Sequence, residues 1–498
     1  MIEEPPAGAS EAALIKARRA KLDALRTAAQ DPFAHTKFER AHIAEVTAAQ
    51  QALPAGAHSG SRAAVAGRLM ALRRMGKKIV FADVQDQSGR IQLYLKADEL
   101  GAAFESVDSL DRGDIVGAAG EPFRTKSGEL SIAVKELSVL AKSLRPLPEK
   151  WHGLTDVEQR YRRRYVDLIV NREVLQTMLL RSRIIAGLRR HLDARGFVEV
   201  ETPTLLNVAG GAYARPFLTR SNALDIPLQL RIATELNLKR CIVGGIEKVY
   251  EIGRIFRNEG IDTRRNPEFT MLELYEAYTD LEGMMRLAEE LVINAAQIAG
   301  VAQPHGFGGE TVNLQPPYKR MAYLDALARF GGLKREDILD ETRARAAARA
   351  RSVQIGGHES HAHVVDKIFE AVVEPQLVDP TFIYDFPLLL SPLAKRKPAD
   401  RDLVERFELF IAHMEAANAF SELNDPDDQR LRFTAQARQR AAGDSEAPEP
   451  DWDFVTALEY GMPPTGGIGI GIDRLVMLLT GKTSIRDVLL FPLQKPLA

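Results

Sequence analysis

The sequence predicts a multidomain α/β (α+β) protein, with a small barrel of short strands first and then a larger domain in which strands and helices alternate. Three observations carry this. Between Ala63 and about Leu140, short apolar segments alternate with polar residues and are separated by turn signals such as Gln87-Ser88-Gly89 and Lys126-Ser127-Gly128. Residues 173–195 instead repeat Leu175, Leu179, Ile184, Ile185 and Leu188 with a helical period. Residues 466–479 switch from a period of two to a helical period in mid-segment. A chain of 498 residues is long enough for two or three cores.

Composition narrows the class. Apolar content of 45% and charged content of 27% are ordinary for a globular protein. The single cysteine, Cys241, excludes a disulfide framework and a clustered thiolate zinc site, and fits a reducing cytosol, so a cytoplasmic location is expected. No apolar run approaches the roughly 20 residues needed to cross a bilayer, and residues 1–30 lack the apolar core of a secretory signal. No membrane partner is therefore expected. With a net charge of −2, a nucleic-acid partner would have to be met by local patches.

Taken in chain order, an N-terminal extension (1–60) holds an amphipathic helix over 11–30, with Leu14, Leu22 and Leu25 on one side and Lys16, Arg18, Arg19, Lys21 and Arg26 around the rest. An arm that touches nucleic acid and a solvated helix face fit this pattern equally. Within 61–145, strands are expected over 64–72, 79–85, 91–95, 115–120 and 131–140, with a helix over 96–107 after the third. That order belongs to an OB-fold, a common reader of single-stranded nucleic acid. Phe81 and Gln92 would lie on adjacent strands with Glu129 at the following hairpin, which suits a stacking ring with polar edge-readers; Phe81 as plain core is the even alternative. A linker (146–172) opens at Arg145-Pro146-Leu147-Pro148 and contains the basic run Arg160-Tyr161-Arg162-Arg163-Arg164-Tyr165, which either faces phosphate or starts a solvated helix. The helix over 173–195 runs into a strand stopped by Pro203. The stretch 300–357, loop-rich and then full of Ala and Arg, looks like an insertion into the larger domain, 173–498.

Three segments carry chemistry. In 466–479, read as a strand, Gly467, Gly469 and Gly471 share one face and Ile468, Ile470 and Ile472 the other. Strands normally avoid glycine, so a bare face means that something flat approaches closely, and Arg474 beside it suits an aromatic base such as adenine. A glycine-rich turn feeding a buried helix is the plainer alternative. Segments 250–260 and 264–275 read as antiparallel strands joined by a charged loop that Arg257 and Arg265 bracket, placed to grip a polyphosphate at two points. Phe269 would stack on one face of a base while Arg474 covers the other. In 406–425, Glu408, Glu415 and Glu422 are spread through a largely apolar run. Buried carboxylates need cations, supplied either by Mg²⁺ bridging to phosphate or by nearby arginines.

Together these segments resemble the class II aminoacyl-tRNA synthetases. The first motif of that class is matched by the long helix and strand ending at Pro203. The second, Phe-Arg-x-Glu and then Arg/His-x-x-x-Phe, is matched by Phe256-Arg257-Asn258-Glu259 and Arg265…Phe269, and the third at 467–479. The resemblance covers nearly all of residues 60–498. It implies a catalytic domain built on a mainly antiparallel sheet flanked by helices, behind an anticodon-binding OB-fold, an order that marks the lysyl, aspartyl and asparaginyl subgroup. Gly210-Gly211-Ala212-x-Ala214-Arg215-Pro216-Phe217, Thr234-Glu235-Leu236-x-Leu238-Lys239-Arg240 and the run from Asn418 to Asp425 are most similar to the bacterial-type lysyl enzymes. A lysine substrate needs anionic partners at both ends, whereas aspartate would need a cation at its side chain. Many lysyl enzymes carry His at the position of Arg265; arginine satisfies the wider class pattern.

What the resemblance implies is ATP-dependent activation of L-lysine to lysyl-adenylate and transfer to the 3′ end of tRNA(Lys). A cytoplasmic homodimer is implied, with the helix before Pro203 at its interface and Mg²⁺ as cofactor. It puts Glu422 and Tyr275 on the ε-ammonium, Glu235 and the backbone near Gly211 on the α-amine, and Arg257 and Asn418 on the carboxylate. Glu408 and Glu415 become the Mg²⁺ ligands, and Arg257, Glu259, Asn266, Phe269, Glu273 and Arg474 the ATP contacts. Arg257, Arg265 and Arg474 are the catalytic cations, and Phe81, Gln92 and Glu129 read the anticodon. Two other classes compete: a paralogue that joins lysine to a non-tRNA acceptor, against which the barrel argues, and a non-catalytic RNA-binding protein, against which the intact Arg257, Glu408, Glu415 and Arg474 set argues.

Overall fold

The computed structural model describes residues 10–148, 154–356, 359–441 and 449–496. Residues 1–9 of the expected extension, 149–153 of the linker and Gly357 at the end of the expected insertion lie outside the described residues. The chain divides into two compact units, Met1–Thr155 and Asp156–Ala498.

In the first unit, β1 (Ala63–Met75), β2 (Ile79–Gln85), β3 (Arg90–Lys96), β4 (Ile115–Arg124) and β5 (Leu130–Ala141) close a barrel in the order β1-β2-β3-β5-β4. The β3–β5 pair is parallel and the others antiparallel, which is the OB-fold arrangement. Alternation decides what is inside. Val80, Ala82 and Val84 of β2 and Ile91, Leu93 and Leu95 of β3 are buried, which leaves Phe81, Gln92 and Tyr94 on the outer face. The helix expected over 96–107 is a single α-turn, Ala97–Leu100, followed by a 3-10 stretch, Gly101–Ser109; Gly101, at φ 55°, ends the turn.

Helix α1 (Glu11–Thr27) buries Leu22 and Leu25, but also Arg18 and Lys21. Lys21 pairs with Asp111 at 2.8 Å, and Arg18 donates to the carbonyls of Ser143 and Arg145 at 2.8 and 3.1 Å. Two of its five expected surface cations therefore fasten the helix to its own unit.

The second unit is built on an eight-stranded sheet. Its strands are β6 (Val198–Glu199), β7 (Lys248–Phe256), β8 (Glu268–Ala277), β9 (Lys319–Ala322), β10 (Thr381–Pro387), β11 (Leu403–Ile411), β12 (Met414–Ser421) and β13 (Thr465–Gly471). Their order is β9-β10-β11-β12-β13-β8-β7-β6, antiparallel except for the two edge pairs. Helices α2 (Arg172–Ala194), α4 (Leu281–Ala299) and α5 (Ile472–Thr480) share one core with Leu272 and Leu274 of β8, Phe407 and Leu409 of β11, Ala417 and Ala419 of β12, and Ile468 and Ile470 of β13. Between them in sequence, α3 (Glu235–Val243) packs with Tyr275 and with the helix Trp452–Glu459 in a second cluster.

Three segments differ from expectation. The strand before Pro203 is two residues long, because the Thr202 amide and hydroxyl bond the Glu251 carboxylate (3.0 and 2.7 Å) instead of a ladder partner. Within the stretch expected as an insertion, Lys319–Ala322 supplies the sheet's edge strand. In the expected linker, Val157–Arg162 and Arg164–Val170 are helices, and Arg164 is wholly buried. It pairs with Asp167 and donates to the carbonyls of Arg486, Leu489 and Leu490 at 2.8, 3.3 and 3.0 Å, while Arg160 meets Asp167 at 3.0 Å. Within the basic run Arg164 is thus neither a phosphate contact nor solvated, and fastens residues 486–490 to the unit, whereas Arg163 is exposed. Among the described residues no helix is long and apolar enough to cross a membrane.

Gly120 tests the barrel register. It sits at an irregularity of the β4–β5 ladder, where a Cβ would overlap the backbone carbonyl of Ala133. Gly120→Ala should destabilise the protein by about 1–3 kcal/mol, as overpacking does, and lower its urea midpoint; an unchanged midpoint would refute the register.

Candidate active site

A cavity of about 370 Å³ opens on the glycine face of the second unit's sheet. Its floor follows from register. Gly467 lies opposite Tyr275 and Phe420, Gly469 opposite Glu273 and Asn418, and Gly471 opposite Met271. A Cβ on Gly467 would collide with Glu422 Oε1 and the Tyr275 ring, so its neighbours impose glycine there. At Gly469 and Gly471 the nearest atoms are 3.6 and 3.9 Å away, so those glycines keep open a floor that the protein itself does not fill. The segment is a strand running straight into α5, not a turn.

At one end of the floor are two carboxylates. Glu235 opens α3, and Gly211, at φ 90°, packs against it: a Cβ on Gly211 would lie 3.2 Å from that of Glu235. Glu422 follows β12. Both line the cavity, and behind them Lys239, wholly buried and absent from the lining, bonds Glu235 Oε1 at 2.6 Å and pairs with Glu422 Oε2. Its ammonium also lies 5.9 Å from the centre of the Tyr275 ring. Burial opposes that charge, but Glu235 and Glu422 outweigh it and hold the ammonium above its ordinary value. Glu422 Oε1 is buried without a hydrogen-bond partner. Burial pushes the Glu422 carboxyl up against the pull of Lys239. Burial and nearby Glu235 likewise raise Glu273 to about 7, although both its oxygens accept from the Thr234 N–H at 3.2 Å.

At the other end, Arg257 donates to the Ile232 carbonyl at 3.2 Å and lies 5.2 Å over the Phe269 ring. The Asn266 amide donates to the Glu268 carbonyl at 2.6 Å, and its Oδ1 is buried without a partner. Arg474 donates to the backbone and side-chain oxygens of Glu415 at 2.9 and 3.1 Å. Arg406, between the rings of Phe386 (4.4 Å) and Phe420 (5.5 Å), pairs with Glu408 and donates to Asn418 Oδ1 at 3.2 Å. That bond leaves the amide NH₂ of Asn418 as the donor for a ligand. Arg265 is exposed on the loop, 3.8 Å from Glu370.

Each glutamate of 406–425 therefore has a protein cation: Arg406 for Glu408, Arg474 for Glu415 and Lys239 for Glu422. The sequence alternative of internal counter-ions is realised, with a lysine in place of the third arginine. Among the described residues no group of three or more His, Cys, Asp or Glu is suited to hold a metal ion. Glu415 opens onto the cavity with 39% of its side chain exposed, whereas Glu408 lies behind it, its carboxyl pushed up by burial and by Glu415 and Asp366 against Arg406. Two hard oxygen donors beside surplus negative charge fit Mg²⁺ that completes its shell with phosphate and water.

All the expected residues of this unit line the cavity except Glu408. Sequence reasoning missed three residues that fix the others. Arg406 lies two positions before Glu408 on the same strand face, and Lys239 lies four after Glu235 on one helix face, spacings that could have flagged both. Asp473 accepts from the Thr270 N–H (2.7 Å) and Arg181 (2.5 Å), joining β8, α5 and α2. On the barrel, Phe81 is not core. It heads a row of rings, 5.2 Å from Tyr94, which is 5.7 Å from Phe123, itself stacked 5.1 Å from His58. Gln92 Oε1 accepts from the Ser131 hydroxyl (2.9 Å), and the Glu129 N–H donates to the Thr125 hydroxyl (2.9 Å).

Comparison with known proteins gives two family matches: tRNA synthetases class II (D, K and N) over residues 156–495, and an OB-fold nucleic acid binding domain over 63–140. Similar proteins include the lysine–tRNA ligase of Moorella thermoacetica, 56% identical over 438 residues, or 88% of this chain and 89% of that one. That of Carboxydothermus hydrogenoformans is 52% identical (97% and 98% covered), and that of Bacillus subtilis 51% identical (96% of each).

The Gly467 environment yields a direct test. Gly467→Ala should displace Glu422 and Tyr275 and weaken lysine binding at least about tenfold while ATP affinity stays within about twofold, read by calorimetry. Lysine binding should also strengthen from pH 6 to pH 8.5, because Glu422, whose carboxyl burial pushes up, attracts an ammonium only once deprotonated; a flat profile would contradict the raised value.

Proposed function

The chain belongs to the class II tRNA synthetases of the D, K and N group and, within it, to the lysine–tRNA ligases, and from that premise we propose how its own residues divide the work. It is an aminoacyl-tRNA synthetase, which activates L-lysine with ATP and transfers it to the 3′ end of tRNA(Lys).

The observation that carries the assignment is the unpartnered Glu422 Oε1 beside Gly467 and Tyr275. It receives the ε-ammonium, while Glu235 and the backbone at Gly211 receive the α-amine. Arg257 and the Asn418 amide hold the lysine carboxylate so that one oxygen attacks the α-phosphorus of ATP in line. The bond from that phosphorus to its bridging oxygen breaks, and pyrophosphate leaves. The terminal ribose hydroxyl of the tRNA then attacks the carbonyl carbon of lysyl-adenylate, giving the ester, AMP and a proton. Alignment and charge compensation, with no dedicated protein base, supply most of the rate.

Adenine lies over Gly469 and Gly471 between Phe269 and Arg474, with Asn266 Oδ1 free to accept from its amino group. Glu259 and Glu273 complete the ATP contacts, and Arg265 meets the outer phosphates. Glu415 and Glu408 would hold Mg²⁺, whose charge offsets that of the polyphosphate when bound. On the barrel, Phe81 stacks an anticodon base while Gln92 and Glu129 bond base edges. A cytoplasmic homodimer completes the proposal; exposed Val198, just past the end of α2, supports an interface there.

Lysine-dependent ATP–pyrophosphate exchange, run across a panel of amino acids, tests the reading: exchange is expected with lysine, and none with any amino acid would overturn it. Glu422→Gln should raise the KM for lysine about 100-fold, the loss of a charge-assisted bond, with the KM for ATP within about threefold. Equal losses for both would remove Glu422 from its role. Phe81→Ala should cut tRNA charging about tenfold or more, as loss of base stacking does, and leave exchange intact.

A further inference from the structure

Lys239 takes no part in these steps, yet its ammonium is buried directly behind the two carboxylates that line the cavity. We propose that Lys239 is a positioning and specificity residue: by binding the far oxygens of Glu235 and Glu422 it supplies their counter-charge and aims both carboxylates at the cavity, so that the pocket selects a ligand bearing two ammonium groups. The proposal rests on the assignment of Glu235 and Glu422 to the amines of lysine.

The charges at this end of the cavity support it. Glu235, Glu273 and Glu422 converge in a space where burial raises two of the three. Left without a cation, one would take a proton, and a neutral acid attracts an ammonium weakly. Three carboxylates against Lys239 leave two negative charges at this end, matched by the two ammoniums of lysine, whose carboxylate goes to Arg257 at the other end. The site is then neutral with its ligand in place. An amino acid with an uncharged side chain would leave one carboxylate uncompensated.

Among the described residues Lys239 pairs with Glu235 and Glu422 and with no other carboxylate. Tyr275 has its phenol raised well above the ordinary value by burial and stays neutral. From the helix Trp452–Glu459 the Phe454 ring faces the ammonium at 6.0 Å, and Arg240 on α3 is engaged by Asp451 and Asp453 at 2.9 Å. The four-residue spacing from Glu235 puts both side chains on one face of α3, so the helix sets the distance from ammonium to carboxylate.

The test is Lys239→Met in the full chain, read by lysine-dependent pyrophosphate exchange from pH 6 to 9. At pH 7 the KM for lysine should rise at least about tenfold with the KM for ATP within about twofold, and the pH at which lysine affinity reaches its plateau should move up by about one unit or more, as for carboxylates that lose a counter-charge. Lys239→Gln should behave the same way, and Lys239→Arg, which keeps the charge, should return the wild-type pH profile even if its lateral bulk raises KM. Parallel losses for lysine and ATP with an unshifted profile would reduce Lys239 to a structural pair and overturn the proposal, as would unchanged kinetics. Should the Met variant lose its folding transition, the Arg profile decides alone: a shifted one overturns the proposal. Wild-type protein without lysine-dependent exchange would instead overturn the function on which it rests.

Discussion

The two-residue repeat of an antiparallel sheet governs the second unit. In β8, β11, β12 and β13, one set of alternate positions supplies Leu272, Phe407, Ala419 and Ile470 to the core. The other set supplies Glu273, Arg406, Asn418 and Gly469 to the open face. A slip of one residue in any of these strands would exchange the two sets, burying carboxylates among leucines and exposing isoleucines to ligand. Fold and site are therefore selected by the same register, and the glycines act through that register rather than through unusual backbone angles, since Gly467, Gly469 and Gly471 are not among the positive-φ positions.

An acidic cavity of this kind carries a folding cost, because buried carboxylates repel one another and resist leaving water. The protein meets it with internal cations of graded accessibility. Arg474 shares Glu415 at a partly exposed edge, Arg406 holds Glu408 behind it, and Lys239 sits wholly enclosed. Each leaves some acceptor capacity unused, most plainly at Glu422 Oε1. Stability and ligand affinity draw on different oxygens of the same carboxylates.

Much of this was legible in the sequence where the signal was local. The barrel, the long helix before Pro203, the antiparallel pair around the charged loop and the glycine strand all follow from periodicity over ten to twenty residues. What was not legible depended on distant partners. Arg18, Lys21 and Arg164 look like surface charge because the carbonyls and carboxylates that bury them, at 111, 143–145 and 486–490, lie far along the chain. The outward face of Phe81 was undecided because one aromatic in a strand does not reveal which parity points inward. The resemblance pairs Glu408 with Glu415, and the irregularity at the Leu409/Phe410 step does set Glu415 opposite Phe410 on the face of Glu408. Glu408 nevertheless turns to Arg406 and only Glu415 lines the opening, a difference that local sequence does not reveal.

Arg406 has a consequence for the stiffness of the cavity wall. Clamped between Phe386 and Phe420, a single guanidinium binds both Glu408 and the Asn418 amide. Two neighbouring strands are thus cross-braced by one rigid plane of atoms, and the bearing of the Asn418 amide is set by the same clamp that fixes Glu408.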